Sequence, residues 1–124
     1  QDKAEEIIKN EILILAGGLG IPCLSTDTTA AIRAQELNVD YILKGTNVDG
    51  IYDSDPKLNP SAHLYKKISY KEAIEKNLKV MDISAFEICK KNNIKLIVYN
   101  ANDLNNIIKV CNGGTIGTIV DNYE

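Results

Sequence analysis

The sequence predicts an α/β fold, a three-layer sandwich with a mostly parallel sheet. Two observations carry this. Several short runs are apolar on both faces, as strands lying between helix layers must be, and they alternate with helical runs. A third observation bears on function: the loops richest in Gly and small polar residues follow two of those strands, where ligands collect in open α/β sheets.

Residues 3–9, KAEEIIK, read as the end of an amphipathic helix. The run EILILAGG (11–18) is too short for a core helix and stops at Gly, so a buried strand is expected over 11–16. TDTTAAIRAQELN supplies a helix with Thr26 or Asp27 as N-cap and small or apolar residues at Ala30, Ala31, Ala34 and Leu37. DYILKG (40–45) is the second expected strand. A long loop with Pro56, Asn59 and Pro60 follows, and Ser69 with Glu72 forms the S-x-x-E pattern that opens a helix over SYKEAIEKN. DISAFEICKKNN (82–93) is a helix capped by Asp82, and Met81 and Phe86 beside it are expected to fill core or subunit contacts. KLIVYN (95–100) is a strand, DLNNIIKVCN (103–112) a helix and GTIGTIV (114–120) a closing strand.

At 124 residues and 44% hydrophobic content, this is one domain or part of one, long enough for a real core. A net charge of −3 makes no electrostatic case for nucleic acid or an anionic membrane. No apolar run is long enough to span a bilayer and no targeting segment is visible, so the cytoplasm is the default location. The Lys, Asn and Ile bias, with Arg33 the sole Arg, fits an A/T-rich coding sequence; it leaves a plastid-bearing parasite or a low-GC bacterium open. Cys23, Cys89 and Cys111 are odd in number and lack CxxC spacing, so neither a disulfide framework nor a zinc site is expected, and reduced, mostly buried thiols are.

Two loops carry the chemistry. In AGGLGIPCLSTD (16–27), Gly17, Gly18 and Gly20 permit positive φ and close backbone approach to a ligand, and the loop enters a helix whose free N–H groups favour an anion. A tight strand–helix turn explains the same glycines. In LKGTNVDGIYDSDP (43–56), two successive turns account for the Asp and Gly residues. Yet Thr46, Asn47, Tyr52 and Asp55 also gather hydroxyl, amide, aromatic and carboxylate groups at a strand end, a mixture suited to the base and sugar of a nucleoside.

Taken together and in this order, the loops resemble those of the bacterial-type uridylate (UMP) kinases of the amino-acid-kinase superfamily. The likeness runs from about Ile12 to Val120. KGTNVDGIYDSDP is similar to that family's K-[AG]-T-x-V-D-G-[VI]-[YF]-x-x-D-P segment, LKVMDISAF to its L-K-V-M-D-x-x-A-F helix, and GGTIGTIV to its G-T-x-[IV] strand. The resemblance implies phosphoryl transfer from ATP with Mg²⁺ to UMP, in pyrimidine nucleotide synthesis, by a hexameric enzyme. It implies UMP contacts at Leu19, Gly20, Ile21, Pro22, Cys23, Leu24, Ser25 and Thr26, with Asp27 at the reaction centre. It implies ATP contacts at Thr46, Asn47, Tyr52 and Asp55. Apart from the resemblance, Gly17, Gly18 and Lys44 are phosphate candidates by residue type, and Lys44 reads equally as a snorkelling surface lysine. Asp27 is expected to hold cationic side chains in place, because a phosphate nucleophile is already anionic and phosphoryl transfer asks for alignment and charge neutralisation.

The sequence departs from the family where T-G-N-P-F-F becomes LGIPCL: Leu19 and Ile21 remove a hydroxyl and an amide from the uracil side. The family's opening segment, with its phosphate-binding Lys and UMP-binding Arg and Asp, has no counterpart, so residues 1–124 are expected to be the ATP-binding, carboxyl-terminal half and inactive alone. Two competing readings are a non-catalytic nucleotide-binding module and another amino-acid kinase acting on a carboxylate or carbamate. No metal site is expected in the chain itself. His63, without a Cys, Asp or second His nearby in the loop sequence, reads as a solvent-facing turn residue, and the tyrosines other than Tyr52 as packing or interface residues.

Overall fold

The computed structural model describes residues 2–123. In chain order the elements are α1 (Asp2–Ile7), α2 (Thr26–Glu36), β1 (Tyr41–Thr46), β2 (Lys67–Ser69), α3 (Tyr70–Glu75), α4 (Ile83–Lys91), β3 (Lys95–Asn100), α5 (Asn105–Cys111) and β4 (Thr118–Asp121). The sheet runs β1-β3-β4-β2. β1 lies parallel to β3 and β2 parallel to β4, while β3 and β4 are antiparallel, so the sheet is mixed and mostly parallel.

Register explains the core. Ile42, Leu96, Val120 and Ile68 are successive partners across the sheet and therefore share one face. Onto that face α2, α3 and α4 deliver Ala31, Ala34, Ala73, Ala85, Phe86 and Cys89, all buried. The alanines let α2 and α4 approach closely. Tyr70 meets Phe86 edge to face, with ring centroids 5.9 Å apart, and its hydroxyl donates to the Ile94 carbonyl at 2.6 Å. Burial pushes the Tyr70 hydroxyl and the Cys89 thiol up from their ordinary pKa values, so both stay neutral.

Helix starts follow from small polar residues. Ser69 is extended, with φ −80° and ψ 153°, and its Oγ accepts the Glu72 N–H at 3.0 Å. Ser69→Ala is expected to destabilise the domain by about 1 kcal/mol, read as a lower urea midpoint at constant slope. At α2 the cap is Ser25, whose Oγ accepts the Thr28 N–H at 3.1 Å, and not Thr26 or Asp27, which already lie inside the helix. Asp82 occupies the cap position of α4 without a side-chain cap bond. At the other end of the sheet, Gly117 (φ 74°) lies against the Val98 carbonyl so closely that a Cβ would collide with it, and this packing lets β4 begin beside β3.

Several expectations are corrected. Residues 11–16 are not a strand and are not buried: Ile12 is 93% and Ile14 85% exposed. Apolar character supplies a strand's faces but not its ladder partner, and no described strand lies beside this run. β1 is an edge strand whose residues alternate between exposed and half-buried, so it is not covered on both faces. The face bearing Leu43, Ile97 and Ile119 is covered only in part, by the end of α5 around Val110, which leaves a cleft of about 350 Å³. β2, with Ile68 as its lone apolar residue, was not expected at all. Of the three free cysteines only Cys89 is buried; Cys23 and Cys111 are exposed, on a loop and at the outer end of α5.

Candidate functional site

β1 and β3 end together, with Thr46 beside Asn100 in register, and the N-termini of α2 and α4 open close to that edge. Between the two helices, Thr28 Oγ1 and Ser84 Oγ share a hydrogen bond of 2.9 Å. At the adjoining residue, Lys44 Nζ reaches from β1 to donate to Asp27 Oδ1 at 2.5 Å. Both side chains are about four-fifths sheltered, so this is no free surface lysine. The register that points Ile42 into the core also points Lys44 toward α2, where the first-turn carboxylate meets it.

Asp27 and Ser84 stand on the rim of a groove of about 600 Å³. Its floor is apolar, from Leu78, Val80, Met81 and Phe86; its rim is polar, from Asn77, Lys79 and Asp82. The 77–84 segment was legible in sequence only as a motif and a helix cap. Asn77 at φ 49° ends α3 and turns the chain across the groove, a backbone feature that composition does not announce.

The Gly-rich loop lies on the other side of α2. Gly17, Gly18, Gly20 and Cys23 all take left-handed backbone, and no atom crowds the space where the three glycines would carry a Cβ. Leu19, Gly20, Ile21, Pro22 and Leu24 form one wall of a concavity of about 650 Å³, and Thr29, Ala30 and Arg33 of α2 form the other. Thr26 lines it too, whereas Ser25 faces inward as the cap, Cys23 is exposed and Asp27 faces the separate groove.

After β1 the chain makes a long excursion before β2. Thr46 Oγ1 donates to the Val48 carbonyl at 2.8 Å and accepts the Val48 N–H at 3.2 Å, so its hydroxyl shapes the turn. Asn47 is exposed, and Tyr52 bridges to Leu64 across the base of the excursion. Asp55 accepts the Lys57 N–H at 2.9 Å on Oδ1 and the Asn59 N–H at 2.8 Å on its carbonyl, which turns the chain at Pro56. His63 is exposed, and its N–H donates to Asp53 Oδ1 at 2.9 Å.

That bond from the His63 backbone holds the Asp53 carboxyl below its ordinary pKa. A depressed carboxylate pKa stabilises the folded loop above the unfolded value of about 3.9 and stops doing so as pH falls through the lower folded value. The His63 amide resonance should therefore titrate with a midpoint below about 3.9. A midpoint above that value would remove Asp53 as the loop's clasp.

Among the described residues no helix is long and apolar enough to cross a membrane, and no group of three or more His, Cys, Asp or Glu stands together.

Residues 1–100 match the model of the amino acid kinase family. The chain is 46% identical over 114 residues to the uridylate kinase of Erythrobacter litoralis, covering 92% of this chain and 48% of that protein. It is 44% identical over 112 residues to the chloroplastic uridylate kinase PUMPKIN of Arabidopsis thaliana, covering 90% of this chain and 33% of that one. Among solved structures, the UMP kinase of Bacillus anthracis superposes with a TM-score of 0.94 at 34% identity, over 98% of this chain and 51% of that chain. The UMP kinase of Ureaplasma parvum superposes at 0.88 with 43% identity, over 97% and 52%. The chain thus spans a third to about half the length of the relatives it matches.

Proposed function

This chain belongs to the amino acid kinase family, and from that premise we propose that it is the ATP-binding half of a UMP kinase, which moves the terminal phosphoryl group of ATP to UMP. The observation that carries the reading is the Asp27–Lys44 pair on the rim of the 600 Å³ groove. It sets a fixed cation at the strand ends, between a groove with an apolar floor and the Gly-rich loop. Phosphoryl transfer needs a held, charge-neutralising group of this kind more than it needs a base.

In this reading Thr46, Asn47, Tyr52 and Asp55 meet ATP, and the loop from Leu19 to Thr26 meets UMP. Gly17, Gly18 and Lys44 face phosphate. Magnesium would be supplied on the nucleotide phosphates, retaining most of its water, and would neutralise their charge there. The complete enzyme is a hexamer working in the cytoplasm or, as in the chloroplastic relative, in a plastid. Leu19 and Ile21, apolar on the uracil side, favour a second reading, a nucleotide-binding module without catalysis.

The experiment is acceptor-dependent phosphoryl transfer by the full-length protein. UDP formed from UMP with Mg·ATP is expected. ATP binding without transfer selects the module, and transfer only to a carboxylate or carbamate overturns the UMP assignment.

A further inference from the structure

Residues 51–65, which carry Tyr52 and Asp55, are tied to the sheet at one buried point. The Ile51 N–H donates to Thr118 Oγ1 at 2.8 Å, and that hydroxyl donates to the Tyr65 carbonyl at 2.5 Å. The Ile51 carbonyl accepts the Tyr65 N–H at 2.8 Å, closing the base of the excursion on itself. Ile51 and Thr118 are both 0% exposed, so water does not stand in for these bonds. Thr118 is the first residue of β4, paired in register with Val98 of β3, so both lie on the two interior strands of the sheet. Gly50 leaves the hydroxyl its room: a Cβ there would lie 2.5 Å from Thr118 Oγ1. Beyond this point the excursion is held by the Tyr52–Leu64 bridge and the Asp53–His63 bonds, at half-buried or exposed residues.

We propose that Thr118 is a positioning residue for the nucleotide: its hydroxyl latches residues 51 and 65 to the rigid centre of the sheet and so fixes where Tyr52 and Asp55 stand. This rests on the reading of that segment as the ATP site. A hydroxyl suits the task because it accepts from one strand of the excursion and donates to the other at once. Valine has the same shape but leaves the Ile51 N–H and the Tyr65 carbonyl unpaired in a dry interior. Opening the base of the excursion to water relieves both, at the expense of the placement of Tyr52, the next residue.

The test uses the full-length protein. Thr118→Val should raise the KM for ATP about tenfold, leave kcat and the KM for UMP within about twofold, and speed exchange of the Ile51 amide; Thr118→Ser should restore all three. An unchanged KM for ATP with the Ile51 amide still protected overturns the latch. So does a parallel loss in kcat and both KM values, or a KM rise in Thr118→Ser, since these mark packing and not the hydroxyl. Should Thr118→Val not fold, the wild-type Ile51 amide decides: slow exchange supports the latch and fast exchange overturns it. A wild type whose transfer does not depend on ATP overturns the kinase reading instead, and Ile51 exchange in Thr118→Val then judges the latch alone.

Discussion

On the proposed kinase reading, Asp27→Asn in the full-length protein is expected to lower kcat by about a hundredfold to a thousandfold, with the KM for ATP changed little. Asparagine keeps the shape of the side chain and an oxygen that can still accept from Lys44, now 2.5 Å away. What it removes is the negative charge that holds the ammonium in one place. Lys44 is about four-fifths sheltered, so its orientation is set by this partner more than by water. Freed from it, the ammonium spreads over several rotamers, and stabilisation of the transferring phosphoryl group is lost in the transition state above all. The competing explanation is that the pair only pins α2 to β1. In that case Asp27→Asn lowers the melting temperature and leaves kcat alone, which would remove Asp27 from the mechanism. Lys44→Met serves as the companion variant: if the pair acts as a unit, the double variant loses no more than the worse single one.

The parts of this molecule legible from its sequence are those fixed by local chemistry. β3 is legible with its observed bounds because KLIVYN is apolar on both faces and sits in the interior of the sheet, where pattern and environment agree. The cap of α3 was legible because Ser69 both starts the helix and bonds to it. Elements that depend on a partner were not. Residues 11–16 carry a strand's composition but have no ladder, and β2 forms because β4 lies alongside, although Lys67 and Ser69 give it little strand character. At the site, Asp27 and Lys44 were both singled out, yet their pairing across seventeen residues follows from β1's register against the core, which no local spacing encodes. Thr118 was visible only as part of a motif. Its two hydrogen bonds join residues 53 and 67 positions away.

The open edge of the sheet at β1 yields the second large effect, self-association of the 124-residue chain on its own. β1 is the terminal strand of the sheet, and six residues, Tyr41–Thr46, present an unpaired outer row of backbone groups. The usual protections are absent: β1 has no Pro, and its one charged side chain, Lys44, is turned inward to Asp27. Apolar surface stands ready beside the backbone, with Leu43 at 37% and Tyr41 at 49% exposure on β1; elsewhere on the chain Ile12, Ile14 and Leu15 are more exposed still. Full burial of such a side chain is worth about 1.5–3 kcal/mol. A few of them together compete with the ~4–15 kcal/mol that association costs. The balance favours a complex that forms at micromolar or higher concentration, and on the proposed reading of this chain as the ATP-binding half its ATP affinity is expected to be weak. Sedimentation velocity should show a mass that rises with concentration, and Leu43→Lys, which sets a charge on the exposed side of the edge strand, should return the chain to a monomer. A wild-type chain that sediments as a monomer at all concentrations and binds ATP at micromolar affinity would mean that residues 1–124 form a complete nucleotide-binding module, and that the edge of β1 needs no partner.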